Sequence, residues 1–224
     1  MLLENRYQLD SKTDLIGQGG FSKVYKALDT KFNMLVAIKH FTGTKGSVGS
    51  VTLEIKKCIN FNHPNIIRYF DCFEINHTNA LGESIIEEYG VMEYPTTGSL
   101  SDIISGQQKI SNEQFKELIL DILDGLAYLH SRSPVIIHRD LKPTNILLQE
   151  ENGQLIPKIC DFGISKELQG TTSQTVTSAI GSIDYMTPEQ IEGKPLSAST
   201  DLWALGCIIY EYFNGQKKKK KTSQ

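Results

Sequence analysis

Apolar residues change their spacing about two-fifths of the way along this chain. Before position 93 they fall in short runs rich in β-branched side chains, and after position 99 they recur at helical intervals. Leu15 to Val24 reads L-I-G-Q-G-G-F-S-K-V, a glycine turn after which Val24 restarts an apolar strand. Leu35 to Lys39, L-V-A-I-K, is a β-branched strand ending in a charge. Val51, Ile55, Cys58 and Ile59 mark one face of a helix over 51–61. That helix stops at Asn62-His63-Pro64, because the residue before a proline avoids the helical region. Ile66 to Ile75 and Ser84 to Met92 read as two antiparallel strands around a polar turn over 76–82.

The second part reads differently. Ser99 to Ser105 is a short helix closed by Gly106. Ser111-x-x-Gln114 is a capping-box start, followed by a stripe of Phe115, Leu118, Ile119, Ile122, Leu123, Leu126 and Leu129, which predicts a long core-facing helix. Two short β-type runs, Val135 to Ile137 and Ile146 to Leu148, enclose a polar loop. A turn over 150–154 leads into a strand, Leu155 to Cys160. Residues 164–186 are polar and rich in hydroxyls. Asp201 to Phe213 is apolar on nearly every face, the pattern of a helix in the middle of a domain.

Composition narrows the function classes. The 224 residues are 39% hydrophobic, enough for a packed core. Setting aside the five lysines Lys217 to Lys221 takes the formal charge from −3 to −8, so the body is acidic and no nucleic-acid surface is expected. Cys58, Cys72, Cys160 and Cys207 are widely spaced in apolar contexts and predict buried free thiols, not a disulfide set or a zinc site. The first ten residues hold no signal-peptide core, and the longest apolar run, Leu202 to Tyr210, is short of the roughly 20 residues a bilayer span needs. A cytoplasmic protein without a membrane partner is the expectation.

The candidate chemistry sits in the polar loop, H-R-D-L-K-P-T-N over 138–145. Asp140 can accept a hydroxyl proton, Lys142 can screen phosphate charge, and Asn145 can hold a metal ion through its carbonyl oxygen, a set suited to phosphoryl transfer. A polar turn between two core strands is the plainer reading of the same residues. The octapeptide resembles the catalytic loop of the protein kinase family. That resemblance implies an α+β, two-lobed fold: an antiparallel sheet plus one helix, then a mostly helical lobe.

The resemblance also assigns roles elsewhere. Gly17, Gly19 and Gly20 would cover the phosphates of ATP, with Ser22 where the family's third glycine usually falls. Lys39 would hold the α- and β-phosphates, braced by Glu54. Backbone groups of Glu93 and Pro95 would pair with adenine, with Met92 guarding the pocket behind. Val24, Ala37 and Leu147 would sandwich the purine, although ordinary core positions equally predict their burial. Asp161, opening Asp-Phe-Gly, would share magnesium with Asn145. Arg139 would dock a phosphate added to 164–186, with Thr177 and Ser178 the first candidates for an upstream kinase or self-phosphorylation. Thr187 would stand harmlessly for the family's usual alanine. Ser182 and Lys142 point to protein substrates phosphorylated on serine or threonine. Asp201 would accept backbone N–H groups of the catalytic loop.

Without a gap the resemblance runs from Tyr7 to Phe213: one lobe over 7–93, a hinge over 93–98 and a partial second lobe over 99–213, lacking its last helices. The lysine-rich residues 214–224 are expected to be disordered. No arginine follows Arg139 to pair with Glu189 as the family would require. The apolar helix is therefore expected to lack partners, leaving either a marginally stable enzyme or an inactive nucleotide-binding or scaffold fragment. The lysine run fits a reading-frame change in an adenine tract, which resequencing decides, or a targeting tag.

Overall fold

The computed structural model describes residues 1–19, 22–41, 52, 55–56, 58–78, 82, 84–161 and 183–215. The chain divides into two compact units: Met1–Asn62 with Ile67–Tyr94, and His63–Ile66 with Pro95–Gln224.

The first unit is an antiparallel sheet. Its strands are β1 (Leu2–Leu3), β2 (Tyr7–Gln8), β3 (Leu15–Gln18), β4 (Ser22–Asp29), β5 (Met34–Phe41), β6 (Tyr69–Thr78) and β7 (Ser84–Glu93), in the order β1-β2-β4-β5-β7-β6 with β3 on β4. Inward positions alternate along β4, where Tyr25, Ala27 and Asp29 are buried. In β5 four consecutive residues, Val36 to Lys39, are buried. Val36 and Ile38 belong to an apolar cluster with Tyr7, Leu9 and Tyr25.

The pattern did not predict the β1–β2 hairpin, whose strands of two residues are too short to alternate. An ion-pair network holds it: Arg6 contacts Asp29 through two nitrogens (2.7 and 3.0 Å) and Asp71 through a third (3.2 Å). The guanidinium holds the Asp29 carboxyl below the ordinary carboxylate range. The strand expected over Ile66 to Ile75 runs instead from Tyr69 to Thr78. Cys72 is half-buried, where full burial was expected.

The second unit contains α1 (Leu100–Ile104), α2 (Asn112–His130), the hairpin β8 (Ile146–Glu151) and β9 (Gln154–Ile159), α3 (Pro188–Glu192) and α4 (Ser199–Asn214). The predicted capping box opens α2: Gln114 N donates to Ser111 Oγ (3.1 Å) and Ser111 N to Gln114 Oε1 (2.9 Å). Gly125 lets α2 lie against β9, since a Cβ there would sit 3.0 Å from Ile159 and 3.1 Å from the Asn65 carbonyl. Val135 to Ile137 do not form the expected strand. Ile136 N donates to the α2 carbonyl of Leu129 (3.3 Å), and just beyond the run the N–H groups of His138 and Arg139 turn to Asp201. Helix α4 buries Ala204, Leu205, Cys207 and Ile208 but leaves Leu202, Trp203, Tyr210 and Phe213 exposed, so among the described residues only one of its sides is covered.

Candidate active site

The loop over 138–145 hangs from one buried carboxylate. Asp201, in the first turn of α4, is 1% exposed. Its Oδ2 accepts from His138 N (2.9 Å) and contacts His130 Nε2 (2.7 Å), and its Oδ1 accepts from Arg139 N (3.0 Å). Arg139 takes a positive φ of 67°, a conformation disfavoured for a side chain of its kind and held here by fixed partners on both sides. Gln190 supplies the second partner, donating Nε2 to the Arg139 carbonyl (2.7 Å).

His138 supports the next residue. Its Nδ1 accepts from Asp140 N (3.3 Å) while Nε2 meets the Cys160 carbonyl (2.9 Å), a pairing that suits the neutral ring protonated on Nε2. Burial lowers the His138 pKa from its ordinary value of 6.5. Below that value the unfolded chain binds a proton at this position that the folded chain does not. Stability from His138 is therefore complete above about pH 6.5 and falls below it, by at most about 1.4 kcal/mol per pH unit. Urea unfolding between pH 7.5 and 5.5 should show this slope, and His138→Gln should flatten it; an unchanged slope in the variant contradicts the assignment.

Asp140, Lys142 and Asn145 converge. Lys142 Nζ lies 3.0 Å from Asp140 Oδ2. Asn145 Nδ2 donates to the Asp140 carbonyl at 2.9 Å, with Oδ2 of the same residue 3.4 Å away. Pro143 opens a single 3-10 turn through Asn145, after which β8 begins. Cys160 N donates to the Asn145 carbonyl (2.9 Å), so the β8–β9 ladder places Asp161 one residue beyond Asn145's partner. Asp161 also has a positive φ, 62°. Leu147 is half-buried on β8.

In the first unit, Lys39 is 8% exposed on β5, opposite Val24 and Gly90. A lysine so buried is uncommon on structural grounds alone. Gly17 pairs with Val24, and Gly19 N donates to the Ser22 carbonyl (2.8 Å), closing the β3–β4 turn. Val24 is half-buried, Ala37 is 3% exposed and Met92 is 4% exposed. Glu93 N donates to the Arg68 carbonyl (2.9 Å), and Pro95 has no N–H to offer. Gly20, Glu54, Phe162, Gly163, Thr177, Ser178 and Ser182 lie outside the described residues.

The sequence reading missed Gln190 and the cap it forms with Thr187. Thr187, expected as a harmless exchange, caps α3 by accepting from Gln190 N (3.1 Å). Gln190 Oε1 accepts from Thr187 N (3.0 Å) while its Nε2 reaches Arg139, tying the cap to the loop. The spacing Thr187-x-x-Gln190 repeats that of Ser111-x-x-Gln114 and was the available signal.

The protein kinase domain family matches residues 11–224. The serine/threonine-protein kinase PknB of Mycobacterium leprae is 33% identical over 219 residues, covering 96% of this chain and 33% of that protein. RUNKEL, a serine/threonine-protein kinase of Arabidopsis thaliana, is 35% identical over 204 residues, 91% of this chain and 14% of that one. The crystal structure of Rad53 residues 1–466 in complex with AMP-PNP superposes with a TM-score of 0.74 at 28% identity, covering 98% of this chain and 51% of that one. The chain thus spans a third or less of these two curated relatives.

Proposed function

Since the chain belongs to the protein kinase domain family, we propose that it transfers the γ-phosphoryl group of ATP to serine or threonine hydroxyls of proteins. The observation that carries this reading is the convergence of Asp140, Lys142 and Asn145 on one short loop, with Lys142 3.0 Å and Asn145 2.9 Å from Asp140 atoms.

Asp140 accepts the proton of the attacking hydroxyl or orients that oxygen. Lys142 neutralises charge on the group in transfer. Asn145 has Nδ2 committed to Asp140, so the atom it offers a cation is Oδ1. With Asp161 it forms a pair of hard oxygen donors, which fits Mg²⁺, an ion that takes one or two protein oxygens and completes its shell with phosphate and water. Magnesium would neutralise phosphate charge and orient the terminal phosphate. Lys39, braced by Glu54, holds the α- and β-phosphates, and Gly17, Gly19 and Gly20 approach them with backbone N–H groups. Val24, Ala37 and Leu147 enclose the purine. The partial exposure of Val24 and Leu147 supports that role over a plain core role, which would bury them. Phosphorylation at Thr177 or Ser178, by this chain or an upstream kinase, belongs to the same reading.

Pro95 makes the base contact unusual. Both Glu93 and Pro95 offer carbonyl oxygens, but Pro95 cannot donate to the ring nitrogen of adenine, and Glu93 N is engaged with Arg68. Pro95→Ala restores a donor worth about 0.5–1.5 kcal/mol. The KM for ATP should then fall about two- to tenfold in steady-state assays; an unchanged or higher KM contradicts the assignment.

A magnesium-ATP thermal shift on the full chain tests the nucleotide part. Saturation at about 100 times Kd adds about 2.7 kcal/mol of stability, giving a clear rise in Tm. No rise with magnesium-ATP overturns the reading.

A further inference from the structure

Glu88 on β7 is only 9% exposed. Its Oε1 accepts from both Thr52 N (3.0 Å) and Thr52 Oγ1 (2.8 Å), and Thr52 is 3% exposed. Thr52, Ile55, Lys56 and Cys58 are helical, and Glu54 stands two positions after Thr52 in sequence.

The same strand meets the helix a second time. Gly90 lies two residues after Glu88, on the same face of the sheet, opposite Lys39. A Cβ at Gly90 would come within 2.7 Å of Ile55 Cδ1 and 3.2 Å of Tyr69. The missing side chain therefore lets Ile55, fully buried, pack onto the sheet beside the Lys39 position. A third tie is the Cys72 thiol, 3.8 Å from the Thr52 carbonyl. The hydrogen bonds at Thr52 and the close packing at Ile55 both register these helical residues against the strand pair that carries Lys39.

We propose that Glu88 is a positioning residue for phosphoryl transfer: its buried carboxylate holds Thr52, and with Ile55 packed over Gly90 it keeps these helical residues against the strand pair that carries Lys39. The inference rests on the kinase reading above, but the clamp has a readout independent of turnover. Sequence inspection passes over it, because the second acid of I-I-E-E-Y-G on a strand looks like a solvated charge.

Glu88→Ala, Glu88→Gln and Thr52→Val, made in the full chain, test it by steady-state kinetics and by hydrogen exchange of the 52–61 amides. Glu88→Ala should lower kcat about tenfold, leave the KM of the peptide substrate unchanged, and speed exchange over 52–61 while β4 and β5 stay protected. Glu88→Gln keeps an acceptor oxygen and should stay within about threefold of the parent kcat. Adding Thr52→Val to Glu88→Ala should change little further, since both remove one interaction. A folded Glu88→Ala chain with parent-like kcat, or with parent-like exchange over 52–61, overturns the proposal. If Glu88→Ala does not fold, Thr52→Val alone decides: it keeps the backbone bond, and should raise exchange and lower kcat by a smaller factor, or the proposal fails. A parent chain that transfers no phosphate removes the kinase reading, while the exchange result still decides whether Glu88 anchors the helix.

Discussion

Asp140→Asn is expected to slow phosphoryl transfer by about 10²- to 10⁴-fold, the usual contribution of a positioned general base, while the chain keeps its fold. The side chain is half-buried and its carboxylate faces Lys142 Nζ at 3.0 Å. An amide of the same shape cannot take the hydroxyl proton and removes the negative partner of Lys142. The backbone of this residue is held independently, through His138 Nδ1 and Asn145 Nδ2, so loop geometry should persist. Transfer rates beside far-UV circular dichroism and Tm separate chemistry from folding. Loss of activity with a matching loss of Tm would assign Asp140 a structural role instead.

The largest stability effect is expected at Asp201. Asp201→Ala leaves the N–H groups of His138 and Arg139 without their carboxylate acceptor, inside the protein. Each unsatisfied buried donor costs about 1–3 kcal/mol, so the two together cost about 2–6 kcal/mol. A loss of that size, a large part of the ~5–15 kcal/mol typical of a domain, should appear in urea unfolding. Asp201→Asn retains one acceptor oxygen but turns an N–H₂ group toward donors, and should fall between alanine and the parent. Transfer should fail in both variants, since Asp201 holds the backbone from which Asp140 projects. Near-parent stability in Asp201→Ala contradicts this account.

The loop over 138–145 was legible because eight contiguous residues carry acid, ammonium and amide in a fixed spacing, although Asp201 and Gln190 hold its backbone from far along the chain. The α2 helix was legible for a similar reason: a capping box and a 3.6-residue stripe agree. Asp201 was anticipated as a backbone acceptor and holds that place. What escaped depends on contacts far apart in sequence. The β1–β2 hairpin is held by Arg6 reaching Asp29 and Asp71. Val135 to Ile137 have the composition of a strand, but their backbone neighbourhood belongs to α2 and Asp201. Glu88 looks like a surface acid until Thr52, 36 positions earlier, is seen on it. The half-burial of Val24 and Leu147 was equally hidden, because an apolar residue reads the same whether it faces a core or an opening.

The most direct test is transfer from γ-labelled ATP with magnesium to peptides presenting serine, threonine or tyrosine, using the purified full chain beside Asp140→Asn. Label is expected on serine or threonine with the parent chain, and at least about 100-fold less with the variant. Equal label from both proteins, or none from a parent chain that binds magnesium-ATP, would contradict the kinase reading.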